Sequence, residues 1–143
     1  MDIGKLGEDI ACKFLERKGF QVKLRNYRKI FGEIDIVAEK QGTLRFVEVK
    51  TLSRHTTPNP HAEGDETGGE DNTREPSFAK ATAGKPEDAV HYRKRERLKR
   101  AIKGYLRENN VSDETEWQFD ILAIEINREK KGARVRFLEN MVL

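Results

Sequence analysis

The sequence is poor in the features that stabilise secreted domains and membrane proteins. Its 143 residues include one cysteine, Cys12, which excludes an internal disulfide. No apolar run approaches the roughly 20 residues that a membrane-spanning helix needs. The opening segment MDIGKLGEDIACKF lacks the basic flank and apolar core of a secretory signal. These absences predict a cytoplasmic protein with no membrane partner.

Proline is confined to one stretch of the chain. All four prolines and four of the 11 glycines fall between Ser53 and Asp88, where Phe78 is the only large apolar side chain. Such a segment buries too little apolar surface to offset its ordering entropy. It therefore predicts a mobile insertion at about 53–88. Because neither flank looks like a complete core, the insertion interrupts a single domain over residues 1–143.

Charge is unevenly divided. The predicted insertion holds eight acids and four bases, a net charge of −4, whereas the other 107 residues carry 24 bases and 17 acids, a net charge of +7. A basic body favours an anionic partner such as nucleic acid. On charge alone, a solvated surface without a partner explains the composition equally well.

Apolar periodicity predicts a mixed α/β domain in the order α-β-β-β-α-β-β. The predicted elements are a helix over Ile3–Lys18, a strand from Phe20 to Arg25, two strands within Gly32–Lys50, a helix starting between Pro86 and Tyr92, and strands over Trp117–Ile126 and Val135–Leu138. In the first strand, Phe20, Val22 and Leu24 alternate with polar residues and are expected to face the core. The strand over 117–126 is apolar on both faces and is expected to be central.

The stretch GEIDIVAEKQGTLRFVEVK, residues 32–50, carries charges within two apolar strands, at Glu33, Asp35, Glu48 and Lys50. A two-residue turn at Gln41-Gly42 predicts that Lys40 faces Thr43. Asp35 then lies opposite Glu48, and Glu33 lies opposite Lys50. Strand alternation independently places the two charges of each strand on one face. All four side chains are therefore expected to converge.

Two opposed carboxylates repel each other, and a divalent cation between them removes that penalty. Oxygen ligands favour Mg²⁺ or Mn²⁺, while Lys50 can orient a water or stabilise charge on a phosphate oxygen. The residues expected to face the other way, onto the core, are Ile34, Ile36 and Ala38. The alternative is an amphipathic hairpin with a solvent-facing stripe of paired charges. A slip of one residue in register would also separate Asp35 from Glu48.

Asp35, followed after 12 residues by Glu48-Val49-Lys50, resembles the D…ExK core of the restriction-endonuclease-like nuclease superfamily. Further segments resemble, in order, the YraN-like family of small bacterial proteins: GKLGEDIACKFLERKGF, RNYR, FGEIDIVA, LRFVEVKT, PEDAVHYRKRERLKRAIKGYL and FDILAIEI. The resemblance covers most of the chain outside the insertion, which is much longer than the matching family loop. It implies a restriction-endonuclease-like mixed sheet flanked by helices.

The resemblance also implies roles for individual residues. Asp35 and Glu48 match the metal ligands, and Lys50 matches the catalytic lysine. Glu8 matches a helix acid that completes the metal site in related junction resolvases. Without the resemblance, an acid that stabilises the start of its helix would be the preferred interpretation; with it, the site role is favoured. Glu33 belongs to the Gly-Glu-Ile-Asp pattern of the family and is expected to support the ligands.

The segment from His91 to Arg107 is strongly basic, with Glu96 as its only acid. Its bases are Arg93, Lys94, Arg95, Arg97, Lys99, Arg100, Lys103 and Arg107. Beside a phosphodiester site, Arg93, Lys94 and Arg97 are expected to contact the nucleic-acid backbone, and Lys94 matches a family lysine. A solvated helix face is the alternative.

Two further groups have open interpretations. Arg28, in the run Arg25-Asn26-Tyr27-Arg28, could contact phosphates, although a turn at the end of a strand is the plainer interpretation. Asp120 is either a buried, hydrogen-bonded acid or a distal member of the site. The histidines and Cys12 show no zinc-ligand spacing.

The function implied is divalent-metal-dependent hydrolysis of DNA phosphodiester bonds, with branched or flapped DNA as candidate substrates. One alternative is a nucleic-acid-binding module of the same fold with weak or lost catalysis. Another is a scaffold that uses the hairpin charges for solubility.

Overall fold

The computed structural model describes residues 2–54 and 86–143, with the side chains of the second range described from residue 92 onward. Its elements are α1 (Ile3–Arg17), β1 (Gln21–Lys29), β2 (Gly32–Lys40), β3 (Thr43–Arg54), α2 (Pro86–Glu108), β4 (Trp117–Asn127) and β5 (Gly132–Leu138). The predicted order of helices and strands is confirmed. Neither of the helices described is both long and apolar enough to cross a membrane.

The predicted insertion at about 53–88 is too wide at both ends. Ser53 and Arg54 belong to β3, and α2 begins at Pro86. The intervening residues 55–85 lie outside the described part of the chain. The helix start expected between Pro86 and Tyr92 is therefore at the first of these positions, where proline suits the first turn.

The five strands form one mixed sheet in the order β1-β2-β3-β4-β5. Strands β3 and β4 are parallel, and the other neighbouring pairs are antiparallel. A parallel pair needs a crossover connection, and α2 lies within that connection. The prediction that residues 117–126 form a central strand is confirmed, since β4 pairs on both sides.

Each helix covers one face of the sheet. The α1-side core contains Ala11, Cys12, Leu15, Phe20, Ile36, Ala38, Val47, Leu122, Ile124 and Ile126. The α2-side core contains Tyr27, Ile34, Val37, Leu44, Phe46, Ala101, Ile102, Tyr105, Phe119 and Ile121. The two helices therefore pack on opposite faces of the sheet.

The end of α1 is explained by the glycine that follows it. Gly19 has a φ of 88°, which suits glycine, and the Phe20 amide donates a hydrogen bond to the Leu15 carbonyl at 2.9 Å. Phe20 is buried against the α1-side core. The helix predicted over Ile3–Lys18 therefore ends within one residue of the expected position.

Strand β1 departs from simple alternation. Its pairing with β2 shifts between Val22 and Leu24, so an extra residue enters the ladder and Leu24 turns outward, with 40% of its surface exposed. The expectation that Leu24 faces the core is wrong for this reason. The strand-end turn considered for Arg25–Arg28 is also wrong, because β1 continues to Lys29.

Strand β2 changes faces at Asp35. Ile34 packs in the α2-side core, whereas Ile36 and Ala38 pack in the α1-side core. The expectation that these three share one face is therefore wrong. On β1, Asn26 has a φ of 54°, a left-handed conformation that asparagine tolerates better than most residues. The flanking pairs Arg25–Ile36 and Tyr27–Ile34 keep their register, so both strands turn over at the same level.

Candidate functional site

The turn between β2 and β3 has the predicted geometry. Gln41 and Gly42 both have positive φ, 51° and 79°, which is the pattern of a type I′ hairpin turn. Lys40 pairs with Thr43, as expected. The register that the sequence predicts at this end of the hairpin is confirmed.

The ladder between β2 and β3 stops at the pair Ile36–Val47. The predicted ladder pairs Asp35–Glu48 and Glu33–Lys50 do not form. On the N-terminal side of Ile36, β2 pairs only with β1, and on the C-terminal side of Val47, β3 continues along β4. Strands β2 and β3 therefore separate at this point. The Asp35 carboxylate takes the place of a backbone partner, because its Oδ2 accepts a hydrogen bond from the Val49 amide at 2.8 Å.

A groove of about 680 Å³ lies where β2 and β3 separate, with α2 as its other wall. Its lining residues are Lys29, Gly32, Glu33, Asp35, Glu48, Val49, Lys50, Arg93, Lys94, Arg97 and Leu98. All four charged residues of the hairpin and three bases of the predicted binding helix therefore line the same groove. Lys29 was not among the residues predicted for the site. Its position just before the turn that leads into the hairpin indicates that it lies near the hairpin charges.

Two lysines hold Glu48. Its Oε1 lies 2.9 Å from the Lys50 Nζ and 3.1 Å from the Lys94 Nζ. Burial acts to raise the pKa of Glu48, but the hydrogen bond and charge of Lys50, together with those of Lys94, outweigh it and hold the pKa below its ordinary value. Glu48 is therefore a carboxylate that stays ionised beside two cations.

Asp35 has the opposite electrostatic environment. Burial raises its pKa from 3.8 to about 6, and the charges of Glu48, Glu8 and Glu33 act in the same direction. The hydrogen bond from the Val49 amide lowers the pKa but does not offset these effects. Burial, more than the neighbouring acids, therefore disfavours the ionised form of Asp35.

Glu8 approaches the site from α1. Gly7 packs so closely on Thr51 of β3 that a Cβ atom at residue 7 would overlap the threonine hydroxyl. Glu8 is not part of the groove lining, and its Oε2 lies 3.9 Å from Arg25 Nη2. Across residues 2–54 and 92–143, whose side chains are described, no three acidic, histidine or cysteine side chains lie close enough together to hold a metal. Of the three carboxylates that line the groove, Glu33 is largely exposed and pairs with Arg28, which leaves Asp35 and Glu48 as the candidate metal ligands.

Arg28 lies on β1 outside the groove lining, with its Nε 3.7 Å from the Glu33 carboxylate. Its side chain is largely exposed.

Asp120 is fully buried on β4, where it pairs with Val47 of β3. Its carboxylate accepts hydrogen bonds from Arg45 Nη1, Gln118 Nε2 and the Asn140 amide, at 3.1, 2.8 and 2.8 Å. Of the two interpretations left open by the sequence, the buried, hydrogen-bonded acid is the one observed.

Similarity to known proteins extends over nearly the whole chain. The model of the family described as "Uncharacterised protein family UPF0102" matches residues 7–67. A UPF0102 protein of Alkaliphilus oremlandii is 30% identical over 138 residues, which covers 96% of this chain and 95% of the relative. A UPF0102 protein of Dictyoglomus turgidum is 33% identical over 139 residues, covering 97% and 95%. The chain belongs to the UPF0102 family.

A third UPF0102 protein, from Chloroherpeton thalassium, is 32% identical over 130 residues, covering 91% of this chain and 80% of the relative. The UPF0102 model match spans Glu8, Asp35, Glu48 and Lys50 but ends before α2. The alignments with the first two relatives leave only a few residues of this chain uncovered, so UPF0102 similarity extends to α2 as well. The resemblance to YraN-like proteins is thereby confirmed.

Proposed function

We propose that this UPF0102 protein hydrolyses phosphodiester bonds in DNA with the help of Mg²⁺ or Mn²⁺. The observation that carries the proposal is the groove between the separated strands β2 and β3. It gathers Asp35, Glu48 and Lys50 beside Arg93, Lys94 and Arg97 of α2. Acids that suit a hard cation, next to bases that suit phosphates, are the combination that metal-assisted phosphodiester cleavage requires.

The groove carboxylates have the right chemistry for the metal. Mg²⁺ commonly binds through one or two carboxylates and completes its shell with waters and phosphate oxygens, so Asp35 and Glu48 form a sufficient protein contribution. Burial, and after it the charges of Glu48, Glu8 and Glu33, raise the pKa of Asp35, and a bound cation would favour its ionised form. Glu48 would exchange its contact with Lys94 for the metal, and Glu8 would support the site from α1. When bound, the metal would polarise the scissile phosphate and activate a water.

The remaining groups would act on the substrate. Lys50, held beside Glu48, would orient a water or stabilise charge that develops on a phosphate oxygen. Arg93, Lys94 and Arg97 would contact backbone phosphates, which positions a strand without reading its bases. Glu33 would keep Arg28 at the rim of the groove through their ion pair.

The test is Mn²⁺-dependent cleavage of a panel of branched, flapped, nicked and single-stranded DNAs. Asp35→Asn and Glu48→Gln should abolish cleavage and should also reduce the rise in melting temperature that Mn²⁺ produces. Lys50→Ala should abolish cleavage while keeping much of that rise, because an ammonium group is not a metal ligand. Glu39→Gln is the matched control, since Glu39 is an acid on the same strand that pairs with Lys23 outside the groove. Equal Mn²⁺ responses in wild type and Asp35→Asn would refute the metal site.

A second candidate function is a nucleic-acid-binding module of the same fold. This function is favoured because Lys94 and Lys50 both contact one oxygen of Glu48. In such a protein, Glu48 would hold the basic side chains in position and would not bind a metal. A protein of this kind would bind the DNA panel with a steep salt dependence, would cleave none of it, and would not be stabilised by Mn²⁺.

A further inference from the structure

The turn between β1 and β2 presents an apolar residue to solvent. Lys29 pairs with Gly32, so Ile30 and Phe31 form a two-residue turn. Ile30 is fully exposed, although a β-branched apolar residue gains nothing from such a position and turns of this length favour asparagine, aspartate or glycine. Neither the fold nor the core accounts for Ile30.

The turn is held firmly against α2. The Phe31 ring packs over Gly104, where a Cβ atom would overlap it. Gly32 lies against the Arg97 carbonyl, again with no room for a Cβ. Ile30 therefore projects from a turn that is fixed by packing against α2, as a side chain that pushes against a bound ligand requires.

The turn also borders the proposed site. Lys29 and Gly32, the residues on either side of it, both line the groove that contains Asp35 and Glu48. The groove wall facing them is basic, with Arg93, Lys94 and Arg97. An apolar side chain beside a basic wall is complementary to a nucleic acid, because the backbone of a nucleic acid is anionic and the faces of its bases are apolar.

We propose that Ile30 is a wedge that inserts against the terminal base pair where the duplex arm of a branched or forked DNA begins. The inference rests on the proposed function and narrows its substrate to DNA with a junction. Rigid apolar side chains of this kind separate base steps, and they act most easily where one side of the pair is already unstacked. The basic side chains of α2 would hold the backbone of the duplex arm while Ile30 contacts the exposed base face.

The number of residues between Ile30 and the proposed metal ligand Asp35 limits where the DNA can be cleaved. Ile30 and Asp35 are five residues apart, and an extended strand rises about 3.4 Å per residue, so they are separated by at most about 17 Å. DNA rises about 3.4 Å per base pair. Cleavage is therefore expected within about five nucleotides of the junction.

The experiment compares Ile30→Ser with Val142→Ser, which removes a similarly exposed β-branched residue outside the groove lining. A forked DNA carries 2-aminopurine in the last base pair of its duplex arm, and binding is measured in EDTA so that no cleavage occurs. Wild type and Val142→Ser should raise the 2-aminopurine fluorescence on binding and should prefer the fork to a linear duplex. Ile30→Ser should lose the fluorescence rise and about tenfold of the preference, with its melting temperature unchanged.

Unchanged fluorescence and fork preference in Ile30→Ser would overturn the wedge, and normal Mn²⁺-dependent cleavage in the same variant would leave the nuclease proposal intact. Wedge-dependent fluorescence without cleavage by wild type would overturn the nuclease and retain the wedge. A DNA-free dimer of wild type that Ile30→Ser dissociates, with no effect on DNA, would assign Ile30 to a contact between copies. Absence of DNA binding by wild type would overturn both proposals.

Discussion

Replacing Asp35 by asparagine should stabilise the metal-free protein at neutral pH. The Asp35 carboxylate is half-buried and near the charges of Glu48, Glu8 and Glu33, and its loss of solvent together with these charges places its pKa at about 6. Asparagine has nearly the same shape, and its side-chain oxygen can still accept the hydrogen bond from the Val49 amide. The substitution therefore removes an unfavourable charge and retains the structural contact.

The magnitude follows from the pKa. The folded-state pKa of Asp35 lies above its ordinary value of 3.8, so the folded state binds the proton more tightly than the unfolded state does. The stability that Asp35 contributes is fully present below pH 3.8 and is lost as the pH rises through about 6. At about 1.4 kcal/mol per pKa unit, the loss at pH 7.5 is at most about 3 kcal/mol. Since solvent reaches part of the groove, we expect a gain of about 1–3 kcal/mol, or about 3–9 °C in melting temperature.

Thermal melts in EDTA at pH 7.5 and pH 4.5 test this expectation. The advantage of Asp35→Asn should be large at pH 7.5 and should shrink at pH 4.5, where wild-type Asp35 is mostly protonated. Asp9→Asn is a control of opposite sign, because the hydrogen bond from Arg25 holds the pKa of Asp9 below its ordinary value. An Asp35→Asn protein that melts below wild type at pH 7.5, or whose advantage does not vary with pH, would refute the reasoning.

Three further outcomes are expected. Replacing residues 55–85 with a short Gly/Ser linker should leave the urea midpoint nearly unchanged, because this segment has only one large apolar side chain; a large drop would mean that it packs on the core. Replacing Arg93, Lys94 and Arg97 together with alanine should weaken binding to all DNA sequences alike and reduce the slope of log affinity against log salt by up to about three; an unchanged slope would assign these bases to solvent. Asp120→Ala should lower the free energy of unfolding by about 1–3 kcal/mol in urea titrations, since it removes the acceptor shared by Gln118 and the Asn140 amide while Arg45 keeps its ion pair with Glu139; any cleavage by the folded fraction should persist.

Local signals in the sequence predicted most of the fold. The end of the first helix, the turn at Gln41-Gly42 and the start of the second helix each depend on residues close together in the chain, and all three predictions are confirmed. The hairpin register followed because a two-residue turn fixes every pair near it. The same register also predicted that Asp35 and Glu48 lie near each other, although it did not predict the contacts that each of them makes.

The sequence could not predict where the ladder would end. Strict alternation from the turn placed Asp35 opposite Glu48, but the pairing stops one step earlier. The cause is non-local: Asn26 of β1 adopts a left-handed conformation beside Asp35, and β3 follows β4, which is far away in the chain. The contact of Lys94 with Glu48 was hidden for the same reason, because it depends on how α2 packs across the sheet.

The parallel pairing of β3 with β4 has a consequence for folding kinetics. Its pairs, such as Leu44–Trp117, join residues 73 positions apart, whereas the β2–β3 hairpin closes over a turn of two residues. Nucleation is therefore expected in the β1–β2–β3 meander, with the docking of β4 as the slow step. Shortening the 73-residue loop to about 45 residues lowers its closure cost by about 0.4 kcal/mol, which corresponds to roughly twofold in rate. A linker that replaces residues 55–85 should thus speed refolding about twofold while leaving the unfolding rate unchanged.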